Sequence, residues 1–260
     1  MREGRPKNEK CDTSCWSDGA RAARYDVEVN RAFYRATLAR LLEGAPKLVG
    51  RGLDLGCGTG FSTEGLIEKT PNVMWNGVDC SREMVGRARR KPELRKVELL
   101  KARAEALPFP DVSFDVVVAN FSWHWFGVEA GEEVRRVLRP GGWLLATIPL
   151  RRFSRVPGNR ALAHALLAGR RHYTHRTSQG FRFTEVAHLL PGRVRVARCE
   201  PEAMNERFAD GRELREVLES RGVLAAIFGG RPPTRIEAPS PVDFEWPFAV
   251  LHVQTVGCRP

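Results

Sequence analysis

Three glycines and two aspartates carry the most specific chemistry in this chain. Asp54-Leu55-Gly56-Cys57-Gly58-Thr59-Gly60 closes the apolar run LVGRGLDLG, and open α/β sheets bind ligands beyond the carboxyl ends of their strands. Glycines at 56, 58 and 60 tolerate positive φ and let a ligand come against bare backbone. A dinucleotide fingerprint would need glycine at 61, where Phe61 stands, and no GK[ST] completes a phosphate loop. Asp54 would repel a pyrophosphate yet suits a cationic or amino-bearing ligand. Asp79 closes a second strand-like run, VMWNGVD, 23 residues after Gly56. A carboxylate placed there can accept both hydroxyls of a ribose. The set asks for a nucleoside with a positive appendage and no diphosphate.

Those residues need strands to hold them, and the pattern supplies strands alternating with helices. After a helical period from Gly19 to Leu42 come LVGRGLDLG, VMWNGVD, KVELLKA, FDVVVANF and GWLLATIPL as strands. Between them FSTEGLIEKT (Ser62 or Thr63 as cap), SREMVGRARR (Ser81 as cap) and EEVRRVLRPGG read as helices. Alternation at 20- to 30-residue intervals means βαβ units and a parallel, doubly wound sheet. Past Arg151 the rhythm changes. RALAHALLAGRRH, FTEVAHLL and DGRELREVLESRGV are expected helices, and RVRVARCE and FAVLHVQTV return two strands. The expectation is a flexible segment 1–18 and one α/β domain over 19–260. Within it, a ligand-binding core occupies 50–149, and a helical cover with the last strands occupies 150–260.

S-adenosylmethionine fits the ligand description. LDLGCGTG, GVDCSREMVGRAR, AEALPFPDVSFDVVVAN and EVRRVLRPGGWLL also resemble, in order and spacing over residues 50–149, the successive motifs of class I S-adenosylmethionine-dependent methyltransferases. The resemblance implies a mostly parallel seven-stranded Rossmann-like sheet. It puts the Gly56 to Gly60 loop, with Gly58 and Cys57, on the methionine part of the cofactor and Asp54 near its amino group. Asp79 would take the ribose, Cys80 and Met84 would flank the adenine, and Ala104 and Glu105 would meet its exocyclic edge. Asn120, Phe121 and Tyr25 complete the implied cofactor set. Tyr25 reads equally as the core face of an amphipathic helix. Relatives often carry Asp where Arg103 stands, which leaves adenine-edge recognition to the backbone.

The acceptor is less legible. Asn120-Phe121-Ser122-Trp123 lacks the Pro-Pro-aromatic continuation usual in nucleic-acid amino-methyltransferases. His124-Trp125-Phe126 is similar to the small-molecule group that includes trans-aconitate and malonyl-thioester O-methyltransferases. Substrate candidates are Tyr25, His124, Trp125 and Arg151. His124 is either a general base, since its unperturbed pKa lies near neutrality, or a packing residue between two tryptophans. Arg151 is placed to pair with an anion, and solvated arginine is its plain alternative. The net charge of +11 rests on 42 Lys and Arg against 31 Asp and Glu, only seven of them Lys, and the arginines are scattered. That fits surface preference better than a nucleic-acid patch. The six cysteines suggest neither a disulfide framework nor a zinc site, and no metal ligand set is visible. With no apolar run long enough to span a bilayer and a polar start, MREGRPKNEKCDTSC, the reading is a cytoplasmic monomer or homodimer. It methylates a small, anionic molecule. An RNA, protein or quinone acceptor, or a cofactor-binding regulator without turnover, are the rivals.

Overall fold

The computed structural model describes residues 19–150, 155–168, 190–224 and 232–256. Seven strands form one sheet in the order β3-β2-β1-β4-β5-β7-β6. They are β1 (Gly50–Leu55), β2 (Val73–Asp79), β3 (Glu98–Lys101), β4 (Phe114–Asn120), β5 (Leu138–Pro149), β6 (Val194–Phe208) and β7 (Val242–Thr255). β1 to β5 run parallel, while β7 pairs antiparallel with both β5 and β6. The expected mostly parallel, doubly wound α/β sheet with helices is therefore present. Its central strands are buried on both faces, which is why they read as near-continuous apolar runs.

Helices cover both faces: α1 (Gly19–Tyr25), α2 (Glu28–Leu42), α3 (Phe61–Lys69), α4 (Arg82–Ala88), α5 (Ala130–Val137), α6 (Pro157–Ala168) and α7 (Gly211–Ser220). Ala130, Val134 and Val137 of α5 pack one face with Leu53, Val117 and Leu144. Leu38, Leu41 and Leu66 from α2 and α3 pack the other, with Val116, Val118 and Leu145. A third cluster lies over the carboxyl ends of the strands. There Phe33, Tyr34 and Phe61 meet Leu162 of α6, Leu214 and Leu218 of α7, and Phe244 and Trp246 of β7.

The structure corrects several local expectations. The apolar period from Gly19 to Leu42 is not one helix, because the chain turns at Asp26 and Val27. Asn30 Nδ2 donates to the Tyr25 carbonyl at 2.8 Å and closes α1 there, leaving Val29 on the surface. Neither Ser62 nor Thr63 caps α3, whose N-cap is Gly60 in the left-handed region. Both hydroxyls are committed elsewhere: Thr63 Oγ1 donates to Asp54 at 2.6 Å, and Ser62 Oγ accepts from Asn120 at 3.0 Å. Ser81 does cap α4, accepting from the Met84 N–H at 3.2 Å. α5 stops at Val137, before Pro140, and β5 takes over from Leu138. β6 continues past RVRVARCE to Phe208, because its polar second half pairs with β7 residue by residue. Residues 1–18, Arg151 and most of FTEVAHLL lie outside the described residues.

One buried ion pair ties the cover to the core. The Arg221 side chain follows α7 and is almost fully buried, with a two-pronged ion pair to Glu206 of β6. Its Nε donates to Asn30 Oδ1 at 3.0 Å, and its guanidinium lies against the rings of Phe33 (4.0 Å) and Trp246 (4.6 Å). Removing one partner of such a pair strands a charge in low dielectric, which costs about 3–5 kcal/mol. Glu206→Ala is therefore expected to lose about that much in urea unfolding. The double variant Glu206→Ala/Arg221→Met should recover part of the loss. A Glu206→Ala protein as stable as wild type would show that the pair carries no weight.

Candidate functional site

Parallel pairing brings the carboxyl ends of β1, β2 and β4 to one edge of the sheet. The loop after β1 is anchored to β2: the N–H groups of Gly56 and Cys57 both donate to the Val78 carbonyl, at 2.8 and 2.9 Å. Asp79 holds the next turn. Its Oδ2 accepts from the Gly58 N–H at 3.0 Å and its Oδ1 from the Ser81 N–H at 2.8 Å. Burial raises the Asp79 pKa from its ordinary value, and those two N–H groups pull it back. Gly56 has φ +77°, and a Cβ there would stand 2.4 Å from Ser122 Cβ, so only glycine lets the loop after β4 come this close. At Gly58 (φ +55°) the direction in which a Cβ would point leads instead to Tyr25, whose hydroxyl is 3.6 Å away.

Two polar atoms of this loop region are buried without a partner: Asp54 Oδ1 and Thr59 Oγ1. Asp54 lies in the body of the sheet, opposite Gly77 and Val118, with Thr63 on its other oxygen. Burial pushes its carboxyl up to about 7. Buried polar atoms left unsatisfied need an explanation. An amino-bearing ligand at this loop supplies one, because a nearby cation restores the charged form of a desolvated carboxylate. The loop, its unpartnered oxygens and the carboxylate at the end of β2 thus fit the nucleoside with a positive appendage that the sequence suggests.

The other sequence-derived residues fall into two groups. Cys57 and Met84 are buried beside this loop and at the start of α4, while Cys80 is half-buried at the end of β2. Ala104 is buried, and Glu105 beside it is turned away to the loop after β4. Glu105 accepts from the Gly127 N–H at 2.6 Å and pairs with Arg103 at 3.2 Å. Arg103, the departure from the usual pattern, is thus an ion-pair partner inside its own turn. The Asn120 amide is spent within the protein: Nδ2 faces Tyr34 O, Ser62 Oγ and Thr37 Oγ1, and Oδ1 accepts from Thr147. Phe121 follows at φ +54°, a left-handed position rare for a bulky residue, and its N–H donates to Thr147 Oγ1 at 2.8 Å. Strain of this kind concentrates at functional sites.

Aromatic rings continue from the glycine loop across the cover. Tyr25 stacks on Phe61 at 5.8 Å and lies 5.4 Å from Tyr34; Phe33 meets Tyr34, Phe121 and Trp246 at 5.2 to 5.4 Å. Burial carries the Tyr25 phenol well above its ordinary pKa, helped by Tyr34. Trp125 lies on a short 3-10 turn between Ser122 and Phe126, both of which come against Gly56, with its ring 5.0 Å from that of His124. The near-neutral pKa that recommends His124 as a base does not survive burial, which pushes it down to about 3, and its Nδ1 is without a partner. A neutral imidazole offers no charge to an anionic acceptor. Phe33 read only as part of a helical period, and Tyr34, Trp246 and the Arg221–Glu206 pair carried no sequence signal, because their meeting joins segments far apart in the chain.

Residues 53–146 match the family model described as "Methyltransferase domain". Over this stretch the chain is similar to methyltransferase domains. The curated relatives agree: a demethylmenaquinone methyltransferase of Thermus thermophilus is 40% identical over 136 residues, covering 48% of this chain and 60% of that protein. A malonyl-[acyl-carrier protein] O-methyltransferase of Halorhodospira halophila is 37% identical over 127 residues, covering 47% of this chain and 43% of that one. The chain thus spans about half the length of the curated relatives it matches. Among solved structures, a putative methyltransferase from Bacillus halodurans C-125 shares the fold at TM-score 0.58 and 20% identity, covering 85% of this chain and all of the other. The resemblance to methyltransferases thus holds over this stretch, and S-adenosylmethionine is the cofactor that the sequence motifs imply. Among the described residues, no cluster of His, Cys, Asp and Glu could hold a metal, and no helix is long and apolar enough to cross a membrane.

Asp54 makes stability depend on pH in a predictable direction. Its folded pKa of about 7 lies above its ordinary 3.8, so its contribution is full below about pH 4 and lost as pH rises through 7. Asp54→Asn removes that loss and keeps an acceptor for Thr63. The melting temperature of the variant, relative to wild type, should therefore rise between pH 5 and pH 8. A gap that stays constant over this range would show that Asp54 is charged throughout.

Proposed function

We propose that the chain transfers the methyl group of S-adenosylmethionine to a small molecule. The observation that carries this reading is the glycine loop held open by Asp79, with Asp54 Oδ1 buried and unpartnered beneath it. When bound, S-adenosylmethionine supplies a methyl group on a sulfonium, open to in-line attack. Gly56 to Gly60 would hold its methionine part, Asp54 would meet the charge of its amino group, and Asp79 would take the ribose through lone pairs left beside the Gly58 and Ser81 N–H groups. Cys80 and Met84 remain the proposed neighbours of the adenine, and Asn120 and Phe121 shape the floor through the backbone. Tyr25 closes the site from above and keeps water away. Holding two reactants in line is worth up to about 7–11 kcal/mol, and no protein nucleophile is required.

For the acceptor, we take the aromatic cluster beside the glycine loop as support for an apolar, planar group over a free anion. Tyr25, Tyr34, Phe33, Phe121 and Trp246 are aromatic, Arg221 is already matched by Glu206, and His124 is uncharged. The anionic reading keeps Arg151, outside the described residues, as its cation. Transfer of labelled methyl to panels of hydroquinones, small carboxylic acids and bulk RNA separates the alternatives. A hydroquinone is the expected acceptor; transfer to acids alone would restore the anionic reading, and transfer to RNA would overturn small-molecule methylation.

Cofactor binding is testable without knowing the acceptor. Calorimetry should show binding of S-adenosylmethionine and of S-adenosylhomocysteine. Asp79→Ala should weaken both by about 10- to 100-fold, the value of a charged hydrogen bond of about 1.5–3 kcal/mol. Wild-type affinity in Asp79→Ala would remove that residue from the site.

A further inference from the structure

We infer that Lys91 is a positioning residue for this site, a cation that latches the α1–α2 corner, and with it Tyr25, over the glycine loop; the inference rests on the cofactor reading above. Asp26 directly follows Tyr25, and Lys91 Nζ lies 3.2 Å from Asp26 Oδ1. The same Nζ lies 3.1 Å from Glu64 Oε1 on α3 and 4.0 Å from the centroid of Phe61, the ring on which Tyr25 stacks. One ammonium thus touches the residue after Tyr25, the ring beneath Tyr25, and the first turn of the helix that the glycine loop opens. Lys91 itself is fixed to that loop, since Leu94, three residues on, fills the space where a Gly60 Cβ would stand.

The neighbouring charges make this role separable from folding. Asp26 also pairs with Arg87 at 3.7 Å, and the buried Glu64 also takes Arg31 at 2.8 Å. Removing Lys91 leaves each carboxylate one cation, so no charge is stranded. What disappears is the direct link between the corner and α3. Nζ is buried and at ion-pair distance from both carboxylates without the geometry of a hydrogen bond to either, so the attraction is Coulombic and little screened by salt. On the far side the corner is held by Asn30, which donates to the Tyr25 carbonyl and is itself held by the buried Arg221. The Lys91 side is therefore the one able to open and admit the cofactor.

The test uses the full chain with S-adenosylhomocysteine as probe, in wild type, Lys91→Met and Lys91→Arg. Lys91→Met is expected to speed probe dissociation about fivefold, the scale of one partly exposed ion pair. It should also raise amide hydrogen exchange across residues 20–27 while leaving the melting temperature nearly unchanged. Lys91→Arg should restore both. Unchanged dissociation and exchange in Lys91→Met, or equal losses in Met and Arg variants, would overturn the latch. A wild type that binds no probe would instead overturn the cofactor reading, and exchange across 20–27 in the free proteins would still decide the latch by itself.

Discussion

Everything at the ligand edge of this protein depends on how the backbone of the glycine loop is held. Three consecutive N–H groups, those of Gly56, Cys57 and Gly58, are given to the end of β2 instead of to the loop's own helix. The Val78 carbonyl takes two and the Asp79 carboxylate takes the third. The loop is therefore a rigid extension of the sheet, and its shape does not wait for a ligand. Such preorganisation lowers the cost of binding because little needs to be ordered when the ligand arrives. It also explains the glycines: a side chain at 56 would strike Ser122, and one at 60 would strike Leu94.

The rigid loop is maintained against local cost. Asp54 is buried with one oxygen unpaired, Phe121 holds a left-handed backbone, and Trp246 Nε1 and His124 Nδ1 are buried without partners. These features gather around the carboxyl ends of β1 and β4 and the cover above them. The stability to tolerate them comes from elsewhere: the two apolar faces of the sheet, the Asn120 hub that joins α2, α3, β4 and β5, and the clamp of Arg221 on Glu206. Local rules broken at one edge and obeyed elsewhere are what a binding site looks like in a stable fold.

The parts of this architecture legible in sequence are those encoded locally. Buried parallel strands appear as apolar runs, Ser81 announces α4, and the spacing from Gly56 to Asp79 marks one βαβ unit. What was hidden depends on distant segments. Nothing near Asp26 signals a helix break, because the break is fixed by Asn30, which Arg221 holds from 191 residues away. Thr63 looks like a cap and is instead the partner of a buried carboxylate. His124 looks like a titratable group near neutrality until the surrounding burial is known. The polar alternation of β6 gives no hint of its length, which is set by the register of β7.

The position of β7 in the sheet has a consequence for how the chain is made. β5 leaves one edge bare until β7 arrives from about a hundred residues later, and the register runs from Trp143 against Gln254 to Pro149 against Phe248. Until then Leu144, Leu145, Ala146 and Ile148 present a hydrophobic strand with unpaired backbone groups, the kind of edge on which chains aggregate. Closing so distant a pairing is also slow, because the loop entropy is lost before the contacts form. A nascent chain, or one cut short before β7, is thus the aggregation-prone form of this protein, even though the glycine loop and both aspartates are already in place.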